Sequence, residues 1–342
     1  MEKMVSKWSS DAHSLPKNYI FPPEQRPGDP GSIPVSSALP VIDLAKAASS
    51  SSTRGDAVRQ ILQASQEFGF FQVINHGCEH LLGKTADVMR ELFQLPDEDK
   101  ASLYSDDPGK RCRLLTSGPN YQTEELHFWR DNWQHPCHPL EDHVQSWPVK
   151  PANYREIVGS YSAAVREVGL RILDLLCEGL GLEHGYFSRE LTQDQILSVN
   201  RYPPCPDPDL ALGLPKHSDM YLLTLLYQGH VYGLQILKDG QWLGVQPVPD
   251  AFVINVGHQL QVISNGKLKS AEHRVITNAT EPRTTVVTFF APGDDCIIQP
   301  AASLADETNP QAFRSFAFKD FVANYIANKG DPERSLQPFR TL

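Results

Sequence analysis

Long apolar runs are missing from this 342-residue chain; none approaches the roughly 20 residues that a membrane helix needs. Residues Met1 to Pro16 hold charges and polar groups but no apolar core, so they do not read as a secretory leader. No Lys/Arg-rich tract offsets a net charge of −10, which argues against a nucleic-acid partner. The six cysteines, at 78, 112, 137, 177, 205 and 296, show no paired spacing. Reduced thiols in a cytoplasmic protein fit that scatter better than a disulfide framework. Neither a repeat of fixed period nor a heptad is present, and no protein partner is evident. The expectation is a soluble cytoplasmic protein that works on small molecules, away from membranes and nucleic acid.

The chain changes grammar along its length. Residues 14–55 are rich in Pro, Ser and Gly, and Ser49–Ser52 reads as a flexible connector, with a short strand at 39–44. Apolar spacing predicts helices over about 56–68, 79–95 and 154–182, with a strand at 70–75 between the first two. From Ile196 short strands are predicted in quick succession, at 196–202, 221–228, 232–238, 241–246, 251–256, 270–277 and 284–291. A last helix is expected near 318–328. The fold class is therefore mixed α and β, with an antiparallel sandwich or barrel and a helical N-terminal region packed on it. The expected divisions are 1–37, an extension; 38–150, strands and helices; 151–190, a long helix and connection; 191–300, the β core; and 301–342, a helical tail.

Three separated pieces suit one metal site. His217 and Asp219 flank Ser218 where a strand is expected to begin, so both side chains would share a sheet face. His273 lies 54 positions after Asp219 and would complete the set from a neighbouring strand. Two imidazoles and one carboxylate occupy one face of an octahedral ion and leave the others open, which suits Fe(II) used for oxygen chemistry. Arg283, ten positions on, pairs with Thr285 at i, i+2 and suits a carboxylate, because a guanidinium meets one with two parallel hydrogen bonds. Asn200 and Tyr202 alternate onto one face in the same way.

These residues sit in a longer set of motifs: Leu39-Pro-Val-Ile-Asp-Leu44, Gly69-Phe-Phe-Gln-Val-Ile-Asn-His-Gly77, Asn200-Arg-Tyr-Pro-Pro-Cys-Pro206, His217-Ser-Asp219, Gly233-Leu-Gln-Ile-Leu237, Ser264-Asn-Gly-Lys-Leu-Lys-Ser270, His273-Arg-Val275 and Arg283-Thr-Thr285. In this order they resemble the plant 2-oxoglutarate- and Fe(II)-dependent dioxygenases from about residue 38 to 330. Glu124-Glu-Leu-His-Phe-Trp-Arg-Asp131 and Cys137-His-Pro-Leu140 look most like hyoscyamine 6-hydroxylase, with mugineic-acid dioxygenases and salicylate hydroxylases also similar. The resemblance implies a double-stranded β-helix (jelly-roll) core over 191–300. It implies iron on His217, Asp219 and His273, and 2-oxoglutarate on Asn200, Tyr202, Arg283 and Thr285. It further implies O2 as oxidant, ascorbate as the reductant in vitro, and release of succinate and CO2 as a small specialised metabolite or hormone is hydroxylated. Desaturation or ring closure would share the first steps. Three positions depart from the usual pattern: Arg201 for Tyr, Ser218 for Thr, and His258 for Asp.

Substrate contacts are expected from Leu115, Ser198, Met220, Tyr221, Phe289 and Ala291, each beside a site motif or on its strand face. Phe289 shares sheet parity with Arg283 and Thr285, so its ring should point inward. Glu124 or Glu125 offers a partner for a cationic amine, although a solvated turn accounts for both. Three rival readings compete: a zinc loop at His135-Pro-Cys-His138 with His143, a catalytically silent jelly-roll that binds a small molecule, and a zinc hydrolase. Prolines and the lack of C-x2-C spacing speak against the first, and the Arg283 and Asn200 motifs against the others.

Overall fold

The computed structural model describes residues 2–29, 33–36, 39–107, 109–119 and 121–341. Its framework is a pair of long antiparallel strands whose residues alternate in character. The strands are β1 (Val35–Ser36), β2 (Val41–Asp43), β3 (Phe70–Ile74), β4 (Arg113–Thr116), β5 (Asp131–His138), β6 (Asp194–Tyr202), β7 (Leu212–His217), β8 (Leu223–Tyr227), β9 (Leu234–Lys238), β10 (Gln241–Val245), β11 (Phe252–Val256), β12 (His273–Ile276) and β13 (Arg283–Ala291), with a small pair at β14 (Ile297–Ile298) and β15 (Phe316–Ala317). One sheet has the order β2-β3-β11-β8-β13-β6-β5-β4, and the facing one β1-β10-β9-β12-β7. β13 and β6 pair along their whole length, from Arg283 opposite Tyr202 to Ala291 opposite Asp194.

Period-two alternation sorts these residues into two apolar layers. Phe70, Leu226, Leu234, Ile236, Val245, Val253 and Val287 come from both sheets and fill the space between them. Their strand neighbours Leu225, Ile254, Val286 and Phe290 point the other way, into the main core. There the helices Ser51–Glu67, Glu79–Gln94 and Tyr154–Leu180 cover the larger sheet. Val158, Tyr161, Val165, Val168 and Ile172 are the buried stripe of the long helix, as their spacing predicts. Gly181, at φ 70°, closes that helix, since a left-handed residue can return amide bonds to Cys177 and Glu178 carbonyls. No helix among the described residues is long and apolar enough to cross a membrane. All six cysteines are free.

Several local expectations change. Ser50–Ser52 is not a connector: Ser50 caps the helix Ser51–Glu67 and exchanges hydrogen bonds with Thr53, so the helix starts at Ser51, ahead of the expected start near 56. β4, β5 and β7 were not expected as strands. β5 reads Asp-Asn-Trp-Gln-His-Pro-Cys-His, and polar groups on it are buried because β6 and the long helix supply their partners, Ser198 for Asn132 and Tyr154 for His135. β7 contains Gly213 and Pro215, which mimic a turn.

Gly169 of the long helix receives the Phe290 ring, and a Cβ there would collide with it. Gly169→Ala is expected to lower stability by about 1–3 kcal/mol through overpacking, seen as a fall in urea midpoint at unchanged m value.

Candidate functional site

The small sheet delivers the candidate metal ligands. β12 pairs with β7 so that His273 lies opposite His217. His217 ends β7 rather than beginning a strand, and Asp219 follows in the turn, so strand parity is not what brings them together. Their convergence is close all the same. Asp219 Oδ1 lies 3.8 Å from His217 Nε2 and 3.6 Å from His273 Nε2. The donor atoms of the three residues all lie within 4.8 Å of one another.

The surroundings settle which atoms are free. His217 Nδ1 meets Pro215 O at 2.9 Å, and His273 Nδ1 meets Ala271 O at 3.2 Å. A carbonyl accepts only, so each Nδ1 carries a proton and each Nε2 is turned toward the centre. Asp219 Oδ2 accepts from Thr224 Oγ1 at 2.6 Å and Asn255 Nδ2 at 3.0 Å, which leaves Oδ1 aimed at the imidazoles. Burial, then the adjacent His273, pushes His217 down to about 3, against the pull of Asp219. Burial would raise Asp219, but His273, His217, Thr224 and Asn255 outweigh it and hold the carboxyl below its usual range. A divalent ion binds imidazole as the neutral base and aspartate as the carboxylate, and it displaces any proton held between them. The donor set therefore fits Fe(II).

The large sheet supplies an anion site beside it. Arg283 is 2% exposed, and its Nε donates to Val231 O at 3.0 Å. Its Nη2 is buried with no hydrogen-bond partner. The guanidinium lies 5.4 Å from the Tyr202 ring, and burial lowers its pKa. Thr285 stands opposite Asn200 in register, with 3.4 Å between Oγ1 and Nδ2. Two glycines make room: a Cβ at Gly213 would lie 2.6 Å from the Tyr202 ring, and one at Gly233 3.1 Å from Arg283 Cδ. An orphaned buried cation flanked by a phenol, a hydroxyl and an amide fits the far carboxylate of a 2-oxo diacid.

The expected substrate residues are placed unevenly. Leu115 stands opposite Asn132, which stands opposite Asn200, so all three share the inner face. Ser198 accepts from Asn132 Nδ2 at 2.8 Å on that face. Tyr221 and Phe289 meet with ring centroids 4.9 Å apart, and Phe289 packs against the inter-sheet layer. Met220 adjoins Asp219, and its carbonyl accepts from Gln259. Ala291 lies at the far end of β13, in the main core. Glu124 is turned to its own loop, accepting from Ser117 Oγ and the Gly118 amide, while Glu125 is exposed.

His258 is fully buried in the first turn of the helix His258–Ile263 and is pushed down to about 4 by burial. Its amide donates to Asp219 O at 2.9 Å. Tyr325, on the helix Phe318–Ala327, donates its hydroxyl to Ser218 O at 2.7 Å and so braces the Asp219 turn. The sequence reading missed Arg130, Asn132, Thr224, Asn255 and Tyr325. For Asn132 the signal was parity with Arg130 on an unexpected strand; for Thr224 and Asn255 it was a polar residue at an inward position of an apolar strand.

The rival zinc loop does not form. Among the described residues one group of three metal-binding side chains converges, and it is His217, Asp219 and His273. His135 is instead buried, with Nε2 on Tyr154 Oη at 2.8 Å and Nδ1 near Pro136 O.

Residues 193–292 match the profile of the 2OG-Fe(II) oxygenase superfamily, and residues 39–154 that of the non-haem dioxygenase in morphine synthesis N-terminal region. Hyoscyamine 6-dioxygenase of Hyoscyamus niger is 40% identical, covering 99% of this chain and 99% of its own. The 2'-deoxymugineic-acid 2'-dioxygenase of Hordeum vulgare is 42% identical over 93% of this chain and 92% of its own. The solved structure of JOX2 in complex with 2OG, Fe and JA superposes with a TM-score of 0.88 at 30% identity, covering 99% and 98% of the two chains.

Thr224→Val removes one of two bonds on Asp219 Oδ2 and is expected to weaken divalent-ion binding about 10–100-fold, measured by calorimetric titration. Burial holds His135 at about 3, against 6.5 when unfolded. Between those values the unfolded chain takes a proton that the folded one refuses, so stability falls as pH drops below 6.5, by about 1.4 kcal/mol per unit. Urea midpoints of the metal-free protein should fall between pH 7.5 and 5, with a shallower slope in His135→Gln.

Proposed function

The chain belongs to the 2OG-Fe(II) oxygenase superfamily, and from that premise we propose that His217, Asp219 and His273 hold its iron and that Asn200, Tyr202, Arg283 and Thr285 hold 2-oxoglutarate. It is a 2-oxoglutarate-dependent dioxygenase. The observation that carries the residue assignment is Arg283 Nη2: cationic, sealed, without a partner, and on the strand face that leads to the imidazoles. A catalytically silent binder is not favoured, because the relatives are named dioxygenases and a silent pocket gains nothing from an orphaned cation.

When bound, Fe(II) and 2-oxoglutarate supply the oxidising chemistry that couples decarboxylation to succinate and CO2 with oxygen insertion. The protein contributes position. Pro215 and Ala271 carbonyls hold the imidazole tautomers, and Thr224 with Asn255 fixes which oxygen Asp219 presents. Val231 aims the Arg283 guanidinium from behind, and Gly213 and Gly233 let it and Tyr202 approach. The apolar layer of Phe70, Leu226, Leu234 and Val287 keeps the floor dry, which strengthens every charge contact above it. Leu115, Ser198, Met220, Tyr221 and Phe289 are the proposed substrate side, while Ala291, in the main core at the far end of β13, is set aside. The substrate is a small specialised metabolite or hormone, hydroxylated in the cytoplasm.

Anaerobic addition of Fe(II) and 2-oxoglutarate to metal-free protein should raise a visible charge-transfer band that His217→Ala lacks. Arg283→Ala should keep Fe(II) binding but weaken 2-oxoglutarate by about 2–5 kcal/mol, since it strands a buried carboxylate. An unchanged 2-oxoglutarate affinity in that variant would remove Arg283 from the site.

A further inference from the structure

Arg130 is the charged group of the site that neither the iron nor the 2-oxoglutarate assignment uses. It immediately precedes β5, on the inner face with Asn132. Its Nε donates to Ser117 O at 2.9 Å and its Nη1 to Asn200 Oδ1 at 2.8 Å. Those bonds use two of the five N–H groups that a guanidinium carries. The guanidinium lies beside the Tyr202 hydroxyl and near enough to His217 to act on its charge. Arg283 is sealed at 2% exposure, whereas Arg130 is half-buried and retains accessible surface. Its Nη2 takes part in neither of those bonds and is not sealed as Arg283 Nη2 is, which leaves it the edge open to a ligand.

No carboxylate among the described residues stands within ion-pair distance of Arg130. Asp131, next in the chain, points to the other side of the sheet, where the Val5 and Ser6 amides donate to it. Glu124 uses Oε2 for Ser117, Gly118 and His127. A cation so closely surrounded is destabilising until an anion joins it. Glu124 acts on Arg130 through space without forming an ion pair with it, so the free edge of the guanidinium has no carboxylate against it.

We propose that Arg130 reads the substrate and that the substrate is a small carboxylic acid, its carboxylate held by the free edge of this guanidinium. The inference rests on the co-substrate assignment above, which gives the other carboxylate to Arg283. Asn200 then has a double task, since it touches both the co-substrate side and, through Oδ1, the substrate's anchor. Leu115, which stands in line with Asn132 and Asn200, would take the body of the acid.

The test uses the anaerobic Fe(II)–2-oxoglutarate enzyme and three matched probe pairs: benzoate, 3-phenylpropionate and cyclohexylacetate, each against its primary amide. Binding is read by shift of the charge-transfer band and by calorimetry. The wild type should favour acids over amides by about tenfold or more. Arg130→Gln should erase that preference and Arg130→Lys keep part of it, while the 2-oxoglutarate dissociation constant stays within about threefold in both. Equal response to acid and amide in the wild type, including none to either, overturns the inference. So does a preference that survives in Arg130→Gln, or a loss of 2-oxoglutarate affinity matching the loss of acid binding. A wild type without the band overturns the co-substrate assignment itself, and this inference with it.

Discussion

A buried carboxylate wedged against two imidazoles is the constraint on which the site is built. Asp219 is 7% exposed, and in an apolar interior it would take up a proton or draw in water. It does neither because His273 and His217 face it, and because Thr224, on β8, and Asn255, on β11, are fixed where Oδ2 needs donors. Those two strands are neighbours in the large sheet, while both histidines come from the small one. The proposed metal site thus spans the gap between the sheets. Its geometry is a property of how the sheets face each other and not of any single loop.

The same arrangement separates charges by depth. Arg283 sits at the closed end, hemmed in by Tyr202 and Gly233, and Arg130 at the open side beside Asn200. Dry walls make each of these charges more selective than it would be in water, because an unmatched ion has no solvent to fall back on. Substitutions that admit water to the inter-sheet layer should therefore blur recognition before they unfold the protein.

Motif-bearing parts of this picture were legible in the sequence, and polar strands were not. β6 and β13 announced themselves by alternation, and Arg283, Thr285, Asn200 and Tyr202 fell on the expected face. His217 and Asp219 were identified as a pair for a reason that does not hold, since Asp219 lies past the end of its strand. β5 was invisible because Asp131, Asn132, Gln134 and His135 look solvated until the partners on β6 and at Tyr154 are known. Arg130 was hidden with it. A cation in an apparent loop carries no directional information; only the strand that follows gives it a face.

Tyr325 ties the Asp219 turn to a helix more than a hundred residues downstream in the chain. During synthesis, the motif that bears two of the three proposed metal ligands leaves the ribosome well before the segment that braces it. A nascent chain stalled before residue 318 would hold all of the coordinating side chains yet lack the brace on the turn between them. The turn between them gains its brace only once this helix has been made and docked.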